Sequence, residues 1–252
     1  MVLGMVAQAN IASLVLPAKQ ARSRMKRDRL LVAGRELLNR GAFEATSIGD
    51  IAKEAGCSVG AFYQRFPDKE AFFSAVVETV MADIAADAER FVTAESINKA
   101  SIELALAECV NYWVETYRRY RGFFRTVIKK TIHSEAAWDP IRRMAPLAVE
   151  PFIAMLAAKC GKSESKSFYY RASAGFQIAI GVMLNASLHR TVLLNLDSDE
   201  LVDWATEILR HCLFDKLPPA LLKHGSGLRP SKSYSRQKSP ARRSRNAFTT
   251  KT

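Results

Sequence analysis

Residues 46–73 read TSIGDIAKEAGCSVGAFYQRFPDKEAFF and hold three helix starts within 28 residues. Ser47 followed by Asp50 has capping-box spacing, so a helix should begin here. Ile48, Ile51, Ala52 and Ala55 then recur at i, i+3, i+4 and i+7, one apolar face of an amphipathic helix. Gly56 supplies the left-handed residue that ends it. Ser58 caps a second helix after a turn of two or three residues, with Phe62 and Phe66 pointing inward and Pro67 as its stop. Asp68 caps a third helix that buries Phe72, Phe73, Val76 and Val77. Two short helices joined by a tight glycine turn form a helix-turn-helix.

The second helix has an outer face suited to close approach. Val59, Gly60 and Ala61 are small, while Tyr63, Gln64 and Arg65 carry hydrogen-bonding groups. Small residues let a helix enter a major groove, and the polar ones then reach phosphates or base edges. The competing reading is a surface helix pair of an ordinary bundle, since such pairs recur in helical folds.

Charge is spread unevenly. The chain of 252 residues has 37 Lys and Arg against 25 Asp and Glu. Residues 223–252 hold 9 of the basic residues and residues 1–24 hold 3, with no acid in either end, so the body between is formally neutral. The end GSGLRPSKSYSRQKSPARRSRNAFTTKT lacks a sustained apolar face and is expected to be disordered. It reads either as a nucleic-acid-attracting tail or as a solubilising end. The start, residues 1–23, lacks the basic region of a signal peptide and reads as a disordered extension, with Met25 as an alternative start. No run of about twenty apolar residues exists, so no membrane span is expected, and buried free thiols in a reducing cytoplasm are the default expectation for the four cysteines. Cys57, Cys109, Cys160 and Cys212 are scattered without a CxxC pair, so metal and redox motifs find no support and no cofactor is implied.

The rest reads as helix. Leu30, Leu31, Gly34, Leu37 and Leu38 mark a first helix ending near Gly41. Helices are expected over about 68–90, 96–119 and 121–133. Another opens with Asp139 as N-cap and Pro140 at N1 and ends at Gly161, broken or kinked at Pro146 and Pro151. Two more cover 164–190 and 198–214. Phe168, Ala172, Gly175, Phe176 and Ala179 on the first, with Leu201, Ala205 and Ile208 on the second, form a stripe that serves either as core or as a four-helix interface with a second copy.

The residues Arg27-x-x-Leu30-Leu31, then Phe43-Glu-Ala-Thr46-Ser47-x-x-Asp50-Ile51-Ala52-x-x-Ala55-Gly56-Cys57-Ser58-x-Gly60-x-Phe62-Tyr63-x-x-Phe66-x-x-Lys69-Glu70 resemble the TetR family of bacterial transcriptional regulators. The resemblance spans about residues 27–77. It implies an all-α chain: a three-helix DNA-binding domain over 24–72, then a helical ligand-binding and dimerisation domain over 73–222. It also implies a homodimer on double-stranded operator DNA, released by a small molecule. Carried over by position, Ser58 to Arg65 form the recognition helix, with Val59, Gly60 and Ala61 at its base-facing start and Gln64 beyond them. Tyr63 and Lys69 match phosphate contacts, and Thr46 or Ser47 anchors the backbone. The two helices of residues 164–214 become the expected dimer interface. Two positions depart from the family pattern: Gly41-Ala42 stands before Phe43, and Gln64-Arg65 where an aromatic and a His are frequent.

Trp113, Phe124, Phe152 and Phe176 are expected to line an apolar ligand cavity, although aromatics at helical spacing serve a plain core equally well. Arg118, Arg119, Arg121, Arg125, Arg142 and Arg143 form a basic set that steers an anionic ligand or simply faces solvent. An enzyme is the rival reading from another class. The four histidines show no metal-protease spacing, and no GxSxG or P-loop occurs. A second rival is an architectural protein that binds DNA through its basic tail alone.

Overall fold

The computed structural model describes residues 21–132, 135–189, 193–198 and 200–215, with side chains from residue 24 onward. The expected tail and most of the expected N-terminal extension lie outside the described residues. Helix α1, Ala21–Arg40, begins three residues inside that extension. It is followed by α2, Ile48–Glu54, α3, Val59–Tyr63, and α4, Lys69–Thr93. Helices α5, Glu95–Lys99, α6, Ile102–Arg119, and α7, Arg121–Thr131, come next. A 3-10 turn at Glu135–Trp138 leads into α8, Asp139–Lys159, then α9, Lys166–Leu188, and α10, Glu200–Phe214. No strand forms among the described residues.

Local signals place the first breaks. The Ser47 hydroxyl oxygen accepts from the Asp50 N–H at 3.1 Å and its O–H donates to the Asp50 carboxylate at 2.6 Å. Gly56 has φ +60, the Cys57 N–H donates to the Ala52 carbonyl at 2.8 Å, and the Gly56 N–H to that of Lys53 at 3.0 Å. Those two bonds satisfy carbonyls that the end of α2 would otherwise orphan. Helix α1 ends the same way at Gly41, with Ala42 donating to Leu37. Phe43, Phe62, Phe66, Phe72 and Phe73 are each almost fully buried and meet ring to ring, Phe62 and Phe72 at 5.1 Å and Phe66 and Phe72 at 4.9 Å. Each such ring contributes about 1.5–3 kcal/mol by burial. Together they fix α3 against α1 and α4.

Elsewhere the chain departs from local expectation. The helix expected over 96–119 is two helices, because Ser101 caps α6 by accepting from the Leu104 N–H at 3.2 Å. Asp139 is the first residue of α8 rather than its cap, which falls on Trp138. Helix α8 also runs unbroken through Pro146 and Pro151. Its packing along α4 is the most extensive seam in the molecule and buries Ala148, Phe152 and Leu156 completely. That burial offsets the two missing ladder bonds. Helices α9 and α10 pack on each other and on α6.

Candidate DNA-binding site

Helix α3 is one and a half turns long, so its placement depends on its two ends. The Ser58 side chain accepts from the Ala61 N–H at 3.2 Å, which satisfies one orphan donor at the start. Phe62 and Phe66 anchor the other side. Ser58, Val59, Gly60, Tyr63 and Gln64 remain exposed, Val59 at 45% and Tyr63 at 48%. The Tyr63 ring rests edge-on against Phe62 at 5.6 Å and is thereby held in place beside the core.

Two expected contact residues turn inward. Ala61 is 3% exposed and Arg65 is 2% exposed, with the Arg65 guanidinium donating to the Ala61 carbonyl. A side chain so buried presents nothing to a groove. The physical reason is the helical period: Ala61, Phe62, Arg65 and Phe66 share the face that meets the core, and Arg65, two residues past the end of α3, reaches back to a carbonyl within it.

Lys69 opens α4, where Asp68 caps the helix by accepting from the Ala71 N–H at 2.7 Å. The Lys69 ammonium donates to the Glu44 carbonyl at 2.8 Å and lies 5.2 Å from the centre of the Phe43 ring. It is thus held beside the free N–H groups of a helix start, a place that favours an anion. The Thr46 hydroxyl donates to the Ala42 carbonyl at 2.8 Å, so it braces the turn after α1. Ser47 is exposed at the start of α2.

Residues 30–76, which hold this whole arrangement, match the sequence profile of the bacterial regulatory proteins, tetR family. These residues form a DNA-binding domain of the TetR type. The match is to the DNA-binding module of bacterial regulatory proteins. Among solved structures, the chain is similar to a protein assigned to the TetR-family transcriptional regulators from Mesorhizobium loti, with TM-score 0.60 and 20% identity over 77% of this chain and 98% of that one. It is also similar to the fatty acid degradation regulator FadR from Bacillus halodurans, with TM-score 0.52 and 17% identity over 79% and 98%. The transcriptional regulator FadR from Bacillus subtilis, in complex with stearoyl-CoA, matches with TM-score 0.51 and 15% identity over 75% and 98%. At these identities the likeness is one of fold. No curated protein matches the chain in sequence.

The expected ligand cavity is filled. Phe152 meets Trp113 at 5.6 Å, Tyr112 at 5.1 Å and Phe176 at 6.0 Å, ring centre to ring centre, and Phe91 joins the same cluster at 5.6 Å. Phe124 lies apart, stacked on Tyr117 at 4.2 Å. An open groove of about 220 Å³ reaches this cluster from outside, floored by Phe91 and Tyr112 between α4 and α6. The Trp113 indole N–H is buried without a hydrogen-bond partner.

The expected dimer stripe is also largely internal. Phe168, Ala172, Gly175, Phe176, Ala179, Leu201 and Ala205 are buried within one chain, and Ile208 is half-buried. A β-carbon on Gly175 would stand 2.8 Å from the Leu209 side chain and 3.0 Å from that of Cys212. The small residues therefore let α9 meet α10, and the outward faces of these helices carry Ile178 and Trp204, 49% and 59% exposed. Sequence reasoning missed these two because a single large apolar residue on a polar face gives no periodic signal.

Of the six arginines grouped in the sequence, five hold partners. Arg118 bonds the Leu196 carbonyl and Glu115, Arg121 pairs with Asp197, and Arg143 pairs with Glu78. Arg142 lies 3.4 Å from Asp139 and Arg119 lies 4.0 Å from Asp87. Arg125 makes no such bond among the described residues. No group of metal-ligating side chains occurs among the described residues, and no described helix is long and apolar enough to cross a membrane.

Proposed function

We propose that the protein is a ligand-responsive repressor that binds a near-palindromic operator as a homodimer. The observation that carries this reading is the exposed strip Ser58, Val59, Gly60, Tyr63 and Gln64 on a short capped helix, with Lys69 one helix start away. Gln64 is the side chain free to read a base edge, whereas Tyr63, Lys69 and Ser47 hold phosphates. The dimer forms through the outer faces of α9 and α10, with Ile178 and Trp204 as anchors.

Helix α4 carries the switch. Lys69 stands at its first turn and Phe91 near its last, about 33 Å apart at 1.5 Å per residue. Phe91 belongs to the aromatic cluster, so a small apolar molecule that parts these rings also tilts Lys69. Recognition helices of a dimer must stand about 34–36 Å apart on B-DNA, so a shift of a few ångströms lowers affinity. The buried Trp113 N–H supplies a donor for a polar atom of that molecule. The fold neighbour that binds stearoyl-CoA makes acyl compounds the first probes. The basic end of the chain adds non-specific, salt-dependent affinity.

The test is selection of binding sites from random DNA, followed by titration of the selected duplex against random competitor. A palindromic site preferred by a thousandfold or more, and weakened by a compound that raises the melting temperature, is the expected result. Equal affinity for all duplexes would leave only an architectural DNA-binding protein.

A further inference from the structure

A second concavity, larger than the groove at the aromatic cluster, opens on the seam between the DNA-binding domain and the helices behind it. It encloses about 660 Å³ between the C-terminal end of α1 and one face of α7. Four cations line it, Arg40 from α1 and Arg125, Lys129 and Lys130 from α7, against the single carboxylate of Glu44. Two of the four are already occupied: Arg40 pairs with Glu54 at 2.8 Å, and Lys130 with Glu44 at 2.9 Å and Glu70 at 2.8 Å. Arg125 and Lys129 make no hydrogen bond or ion pair among the described residues. They stand one turn apart on the same helix, where like charges repel. Asn39, also on the wall, has its side-chain oxygen buried without a hydrogen bond, and the same amide turned over offers an N–H donor.

We propose that this cleft is a binding site for a small polyanion, a compound carrying two or more phosphate or carboxylate groups. Its volume lies within the range of small-molecule sites and exceeds what one inorganic ion fills. An anion between Arg125 and Lys129 removes their mutual repulsion, takes a guanidinium fork on one side and an ammonium on the other, and accepts from Asn39. A concave site built from two domains favours such a ligand over a DNA backbone, which asks for a convex or flat basic surface it can lie along.

The cleft shares a residue with the DNA-binding face. Glu44 holds Lys130 through its carboxylate and Lys69 through its carbonyl oxygen. A polyanion beside Lys130 repels the Glu44 carboxylate and competes for the ammonium, so it shifts the loop that positions Lys69. Anion and operator then change each other's affinity by the same factor. That coupling rests on the proposed role of Lys69; the site itself does not.

The experiment is calorimetric titration of the full chain with pyrophosphate and, separately, with citrate, using wild type and the Arg125→Gln, Lys129→Gln double variant. Both substituted side chains are at the surface, and circular dichroism checks that the variant keeps its helices. One anion bound per chain, weakened at least tenfold in the double variant, is the expected result, and the preferred probe distinguishes a phosphate from a carboxylate ligand. Lys129→Glu alone should abolish binding. Equal binding by wild type and double variant would place the anion elsewhere, on the basic tail above all, and overturn the proposal. Failure of both probes, with a lower salt slope for DNA binding in the double variant, would overturn it in favour of a flanking DNA contact. A chain that binds pyrophosphate through Arg125 and Lys129 but prefers no palindrome would keep this site and sink the repressor reading.

Discussion

Gly122 of α7 lies so close to Asn39 of α1 that a β-carbon at residue 122 would fall 1.6 Å from the Asn39 carbonyl oxygen. The Thr126 hydroxyl, one turn further along α7, donates to the Leu38 carbonyl at 3.0 Å. These contacts dock the larger helical region directly on the end of the first DNA-binding helix. Because the obstacle is backbone, Gly122→Ala must push the two helices apart. The expected loss is about 3 kcal/mol, the upper end of overpacking effects, which lowers the melting temperature by roughly 6–12 °C in a chain of this size. Thermal unfolding by circular dichroism checks it; an unchanged midpoint would mean that the seam is loose.

Substitutions along α3 should separate three roles. Tyr63→Phe with Lys69→Ala should weaken binding to operator and random DNA by a similar factor, since phosphates carry no base information. Gln64→Ala should instead change base preference at one position per half-site, worth about 1–3 kcal/mol. Arg65→Ala should leave preference intact and destabilise the fold by about 1–3 kcal/mol, because it strips buried hydrogen bonds. Affinity and unfolding measured on the same set of proteins decide the matter. A base-preference change from Arg65→Ala without loss of stability would contradict its inward placement.

Gly175→Arg and Trp204→Arg make opposite demands on α9 and α10. At residue 175 the new side chain runs into Leu209 and Cys212 of the same chain, so the variant should unfold at lower temperature by about 3 kcal/mol or more. At residue 204 it projects from an exposed face and should leave the fold intact while producing monomers. Sedimentation velocity beside thermal unfolding distinguishes them. A dimeric Trp204→Arg or Ile178→Arg protein would move the interface off these faces.

Alkaline stability should depend on Tyr117. Its phenol is buried against Phe124, and burial raises its pKa above the ordinary 10.0. Burial raises the Cys109 thiol above 9.0 in the same way. The folded state therefore keeps these protons while the unfolded chain releases them. The contribution to stability is complete below the ordinary values and is lost progressively as pH climbs above them, at about 1.4 kcal/mol per pH unit for each group. Tyr117→Phe removes one ionisation with little change in packing, so urea midpoints measured from pH 9 to 11 should fall less steeply than in wild type. Parallel curves would show that Tyr117 ionises as freely folded as unfolded.

The sequence alone determined where the first helices stop and start. Ser47, Gly56, Ser58 and Asp68 act on backbone groups within five residues, so their effect is written in local spacing, and the caps form where that spacing places them. The same holds for the TetR-like pattern from Leu30 to Val76, whose phenylalanines pack within one small domain. Tertiary structure decided what each face meets. Arg65 is polar and still turns inward, because Phe62 and Phe66 fix the rotation of a helix too short to choose its own. Ala172, Gly175 and Ala179 permit close approach by any helix, and only the arrival of α10 assigns that approach to the same chain. Pro146 and Pro151 forbid an isolated helix, yet α8 stays continuous because α4 buries its length. The cleft of Arg125 and Lys129 arises only where α7 docks on α1, through a bond between residues 88 positions apart. Local hydrogen-bonding rules can be read along a chain, whereas partners at that separation are selected by burial, which has no sequence period of its own.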